Sequence, residues 1–146
     1  MNMFRSMEIS GSALTAQRFR MDIIAENLSN ATTTRTANGE TYRRKNVVMQ
    51  ERTGTTFQSY LDRAYGGTAV PAGVRITDIV EDPSEFKLVY DPTHPDAMED
   101  GYVRYPNVDT VQEMVDMISA TRSYEANITA LNAFKNIAMK ALEIGR

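Results

Sequence analysis

The last third of the chain, TVQEMVDMISATRSYEANITALNAFKNIAMKALEIG (residues 110–145), contains no proline, and its only glycine is Gly145 at the far end. Nearly everything in it is compatible with one uninterrupted helix. At 1.5 Å per residue such a helix is about 50 Å long. A compact globule of 146 residues is roughly 35–40 Å across. The helix is longer than the body that would have to bury it, and this limits the folds open to the chain.

The apolar pattern of the helix points the same way. Met114, Met117, Thr121, Tyr124, Ile128, Leu131, Ala138 and Leu142 alternate at spacings of three and four, with Lys135 as the one break. That is a heptad seam, which predicts lengthwise packing on another long helix. Val111, Val115, Ile118, Phe134, Ile137 and Met139 run beside it. An apolar surface this wide requires more than one neighbour. Asp109 or Thr110 can cap the start, with Gln112 or Glu113 in capping-box position, and Gly145 suits the stop. Glu113 and Asp116 near the start, and Lys135 and Lys140 towards the end, agree with the helix dipole.

Residues 3–31 predict a second helix. Phe4, Met7, Leu14, Met21, Ile24 and Leu28 share a side, flanked by Ile9, Ala13, Ala16 and Ile23. Gly11 between Ser10 and Ser12 weakens the early part, so the helix is expected to be firm only from about Ala13. With amphipathic helices at both ends, the simplest burial is of one against the other. Asn27 and Asn30 lie close to the apolar face, where unpaired amides are costly. Two roles are open to them: local bonding at the helix end, or packing and recognition between subunits.

Between the helices, Asn38-Gly39 signals a turn into a strand at YRRKNVVMQE (42–51). Arg43, Arg44 and Lys45 alternate between the faces of such a strand, which suits solvation or pairing with acidic neighbours better than a phosphate patch. Gly54, Gly66, Gly67 and Gly73 punctuate the next stretch, and all five prolines lie within residues 71–106. VRITDIV (74–80) and EFKLVYD (85–91) are expected to pair through a turn at EDPS (81–84), and 91–110 to return to the long helix as a loop. The predicted fold is α+β: two long terminal helices in an antiparallel, coiled-coil-like pair, with a small β-rich insert between them. The boundaries are 1–35 and 107–146 for the helices and 36–106 for the insert and its connections.

Composition narrows the chemistry. There is no cysteine, which excludes disulfides, thiol catalysis and thiolate metal sites. The single histidine, His94, lies between prolines in a loop, so neither the usual zinc ligand sets nor a serine–histidine–carboxylate triad is indicated. No phosphate-binding or dinucleotide glycine motif is present. A net charge of −3 argues against nucleic acid as a partner. No apolar run is long enough to span a membrane, and the first residues lack the pattern of a cleavable signal. The expectation is a protein with no catalytic residues, no cofactor, no metal and no small-molecule substrate.

Two segments carry a resemblance. SGSALTAQRFRMDIIAENLSNATTT (10–34) is similar to the N-terminal signature of flagellar rod and hook proteins, with Glu26 and Ser29 departing from its commonest form. GYVRYPNVDTVQEMVDMISATRSYEANITALNAFKNIAMKALEIG (101–145) is the more specific match, through its Tyr-Pro-Asn-Val, Glu-Met-Val-x-Met-Ile and Arg-Ser-Tyr-x-Ala-Asn runs. With RTANGETYRRKNVVM (35–49), they resemble the flagellar basal-body rod protein family, and within it the proximal rod subunits. Residues 50–90 carry little of the resemblance.

The resemblance implies a structural subunit that leaves the cell unfolded through the flagellar type III path and assembles helically into the drive shaft of the basal body, in the periplasmic space. It implies as partners copies of the chain itself, other proximal and distal rod proteins, and the protein at the junction of rod and MS ring. The terminal helices would form the inner layer of the tube, with the insert outside. Subunit contacts are expected at Leu14, Met21, Ile24, Asn27, Leu28 and Asn30 of the first helix. In the second they are expected at Met114, Met117, Ile118, Tyr124, Ile128, Leu131 and Leu142. The rival readings are another rod or hook member, a monomeric helical-bundle adaptor that buries its own heptads, and an enzyme, for which no residues present themselves.

Overall fold

The computed structural model describes residues 3–53, 61, 64–65 and 71–144. Helix α1 (Met3–Ser29) is followed by strands β1 (Lys45–Thr53), β2 (Pro71–Glu81), β3 (Lys87–Tyr90) and β4 (Tyr102–Tyr105), then by helix α2 (Thr110–Ile144). The class is α+β, as expected. Gly54, Gly66, Gly67 and Gly145, predicted to punctuate the chain, lie outside the described residues.

Strand pairing differs from expectation. Segment 74–80 does not pair with 85–91. Instead β2 pairs with β1, and β3 pairs with β4. The β3–β4 ladder is antiparallel, with Lys87 opposite Tyr105, Leu88 opposite Arg104, Val89 opposite Val103 and Tyr90 opposite Tyr102. β4 lies in the stretch expected to be loop. Its four residues are too few to show an alternation on their own, and the turn that sets them opposite β3 is built from several local bonds. Asp91 N–H donates to Gly101 O, Gly101 N–H to Met98 O, and Met98 N–H to Tyr102 O. Gly101 supplies the positive φ of 76°. EDPS is a connection between sheets, not a hairpin turn. The Asp82 carboxylate accepts from Ser84 N–H, and the Asn107 amide donates to Asp82 O and to Ser84 Oγ.

Two compact units divide the chain: Met1–Phe19 with Met49–Thr77 and Ala120–Arg146, and Arg20–Val48 with Asp78–Ser119. In the first, Ala16, Ala120 and Ser10 are buried. Here α1 runs through Gly11 without the expected fraying. The Ser12 hydroxyl donates to Ile9 O and accepts Val74 N–H, so β2 ties down the weakest turn of the helix. In the second, Ile23, Ile24, Tyr42, Val103, Pro106 and Val108 form the core. Asp109 caps α2 by accepting from Val111 N–H (3.0 Å) and Gln112 N–H (3.4 Å), which decides between the two candidate caps.

Candidate assembly interface

At the start of α2, Glu113 is fully buried, an unusual place for a carboxylate. Arg44, just before β1, reaches it through Nε at 2.6 Å, and Asn27 Nδ2 donates to its other oxygen at 3.1 Å. The Arg44 guanidinium also meets Asp116 (3.4 Å) and Asp82 (3.6 Å), and Arg20 of α1 meets Asp116 at 3.4 Å. Burial works against the Arg44 charge, but Glu113, Asp116 and Asp82 outweigh it and hold its pKa above the ordinary value.

Asn27 is 1% exposed and makes all four bonds open to a carboxamide. Its Oδ1 accepts from the Tyr42 hydroxyl and Lys45 N–H, each at 2.9 Å, and its Nδ2 donates to Lys45 O and to Glu113. Tyr42 is raised to about 12, first by burial and then by the charges of Glu26, Glu113 and Glu81. The three-cation run thus pairs with acids and carbonyls. Lys45 bonds Glu26 at 2.6 Å, while Arg43 lies 4.3 Å over the Phe86 ring and donates to Asp82 O and Ser84 O.

Glu113 of this knot also begins the more buried side of α2. The buried and half-buried line runs Glu113, Met117, Ala120, Tyr124, Asn127, Leu131, Phe134, Ala138, an alternation of four and three. It shares Met117, Tyr124, Leu131 and Ala138 with the expected seam; Thr121 is half-buried beside Ala120, while Met114 and Ile128 are exposed and their N-terminal neighbours take their place. A hydrophobic count could not find this line, because Glu113, Ala120 and Asn127 score poorly in it.

The expected contact residues therefore separate. Ile24 and Asn27 are buried within the chain, Asn27 by the bonds above, so neither presents a free surface. Asn30 is half-buried and its bonds are local, to Glu26 O and with Thr33. Leu14, Met21, Met117, Tyr124 and Leu131 are half-buried. Leu28, Met114, Ile118, Ile128 and Leu142 are exposed. Val111, Val115, Ile137 and Met139 are exposed with them, Val111 to 65% and Leu142 to 77%. Pairing of Arg44 with acidic neighbours is among the expectations, while the burial of Glu113 and Tyr42 is not. The knot's one sequence signal is an acid in the first turn of a helix and a cation run ahead of a strand.

Comparison with known proteins bears on what such an exposed helix face is for. Residues 7–35 match the family described as flagella basal body rod protein, and residues 99–144 match that described as flagellar basal body rod FlgEFG protein C-terminal. Over its full length, and that of the relative, the chain is 54% identical to the flagellar basal-body rod protein FlgC of Bacillus subtilis. The chain belongs to the FlgC family of flagellar basal-body rod proteins. It is 43% identical to FlgC of Borreliella burgdorferi, covering 99% of this chain and 98% of the relative, and 41% identical to FlgC of Escherichia coli O157:H7 over all of both. As a FlgC-family member it is a structural protein of the flagellar basal-body rod. The two matched segments hold α1 and α2 almost entirely. Among the described residues, no helix is long and apolar enough to cross a membrane.

Proposed function

We propose that the chain builds the proximal rod by packing its terminal helices, residues 1–35 and 107–146, as an antiparallel coiled-coil-like pair against copies of itself and neighbouring rod proteins. The residues between them, 36–106, lie outside that inner layer. Its partners are other proximal and distal rod proteins and the protein joining the rod to the MS ring. It reaches the periplasm unfolded through the flagellar type III path, and it performs no catalysis.

One observation carries the reading: eight large apolar side chains stand exposed along α2, at Val111, Met114, Val115, Ile118, Ile128, Ile137, Met139 and Leu142. They fall in two stretches, 111–118 and 128–142, and are 37–77% exposed. Each forgoes a part of the roughly 1.5–3 kcal/mol that full burial gives, which a soluble monomer rarely leaves unused at so many places on one helix. Neighbouring subunits would supply the missing cover. An adaptor that buries its own heptads would not leave this stripe bare.

The test is substitution on the exposed face. Ile128→Asp and Ile118→Asp are expected to abolish incorporation into rods and motility. The purified chain should keep its circular dichroism spectrum and lose less than about 1 kcal/mol of stability, as expected for surface changes. Full-length rods containing either variant would sink the proposal.

A further inference from the structure

The second unit carries two exposed surfaces that the helices do not account for, and their chemistry is complementary. On one face of the β3–β4 ladder, Leu88 and Tyr90 stand beside their cross-strand partners Arg104 and Tyr102. Leu88 is 59% and Tyr90 65% exposed, and the Tyr90 and Tyr102 rings meet edge to face at 5.3 Å. Through Phe86 and Arg104 this face continues into an open cleft of about 570 Å³ that is also lined by Arg35 and Arg43. Arg35 is paired with Asp96 at 3.5 Å, and Arg43 is held by backbone carbonyls and the Phe86 ring. Arg104 has no ionic partner among the described residues. Glu40 lines the cleft as well, so three guanidinium groups stand against two carboxylates, Glu40 and Asp96. The surface is apolar and aromatic with a small excess of positive charge, in a chain whose net charge is −3.

The other surface is the run Asp78–Glu85. Asp78, Glu81 and Glu85 are exposed and make no ion pair among the described residues, and Ile79 and Val80 between them are exposed apolar side chains. β2 is hydrogen-bonded to β1 alone among the described strands. Along β2, Ile79 and Glu81 share one side and Asp78 and Val80 the other, so each side sets an acid beside an aliphatic, the match for an aromatic face edged by guanidinium groups.

We infer that the basic, aromatic face formed by β3, β4 and the cleft receives the acidic run Asp78–Glu85 of a second copy of this chain. The contact lies outside the helices. It rests on the reading of the chain as self-associating and adds to it a second point of attachment. Its ionic part fixes register, since like-charged faces repel, while Leu88, Tyr90 and Ile79, which shares its side of β2 with Glu81, supply the apolar area.

The absence of cysteine makes the test clean. Full-length chains carrying Leu88→Cys are mixed with chains carrying Ile79→Cys, oxidised mildly, and the mixed dimer is quantified by mass. The yield should exceed that of Leu88→Cys mixed with Arg122→Cys, an exposed position on α2. Adding Arg104→Glu to the first chain, or Glu81→Arg to the second, should lower the yield about threefold or more. Combining both reversals should restore it. If Arg104→Glu changes the circular dichroism spectrum, Arg104→Gln takes its place in the first arm. Chains carrying Ile118→Cys, oxidised alone, report association through the helices separately. Helix cross-links with no 88–79 dimer above the control overturn this inference and leave the proposed function standing. Loss of both overturns both. A yield insensitive to the charge reversals, or reversals that do not rescue one another, also overturns the inference.

Discussion

Asn27 has no spare valence for hydrogen bonding, so its neighbours have none to lose. Asn27→Ala leaves the backbone N–H and C=O of Lys45 and the Tyr42 hydroxyl without the partners they have now. Each orphaned buried group costs about 1–3 kcal/mol, so a loss of about 3 kcal/mol is expected in urea unfolding. Tyr42 makes a separate, pH-dependent contribution. Its folded pKa of about 12 lies above the model-peptide 10.0, so the unfolded chain releases the proton first. The stability it contributes is complete below pH 10 and is lost as pH rises towards 12, by at most about 2–3 kcal/mol. Unfolding curves from pH 8 to 12 should fall more steeply for the parent than for Tyr42→Phe. Parallel curves would remove the buried phenol from the account. Asparagine near a helix end is visible in a sequence, but local bonding and packing were equally open to it. The third possibility, a carboxamide tying α1 to a strand and to α2 inside one subunit, depends on residues 18 and 86 positions away.

Among the elements, α1 is held where its sequence is weakest. Gly73 sits at φ 111°, and a Cβ there would overlap the Ser12 hydroxyl and approach the Ile9 Cα at 3.5 Å. Gly73→Ala is therefore expected to cost about 2 kcal/mol, from backbone strain and displaced contact together. Ser12→Ala in the same chain should return only part of the loss, because the φ penalty remains. Thermal unfolding of the two variants beside the parent checks this, and a neutral Gly73→Ala would refute the close approach. Helix propensity saw only the flexible Gly11 and its serines. The hydrogen bond from β2 to Ser12 joins residues 62 apart. The same reasoning covers the strands. β-branched and aromatic runs announced β1, β2 and β3, but partner choice was set by the turn at Gly101 and by Asn107, which holds the 82–84 connection away from a hairpin.

Over the whole molecule, the proposed assembly predicts that the order of α2, with its exposed apolar side chains, depends on partners. Purified in dilute solution, the C-terminal half of α2 should exchange amide hydrogens faster than residues 20–30 and 103–116, which the Asn27–Arg44–Glu113 knot pins. Raising the concentration should slow exchange along α2. Uniform, concentration-independent protection would favour a self-sufficient bundle instead. The two long terminal helices, the small β-rich stretch between them and the family were legible from residue order alone. Helix length, apolar spacing and signature runs are local properties, carried within a few turns of chain. The inward face of α2 was not legible, because it is set by a buried carboxylate, a small alanine and an asparagine. The burial of Glu113 is stable only where Arg44 and Asn27 arrive from distant positions to satisfy its charge and hydrogen bonds. Apolar periodicity marks the residues that avoid water, while long-range polar pairing helps choose which of them the chain covers and which it leaves exposed.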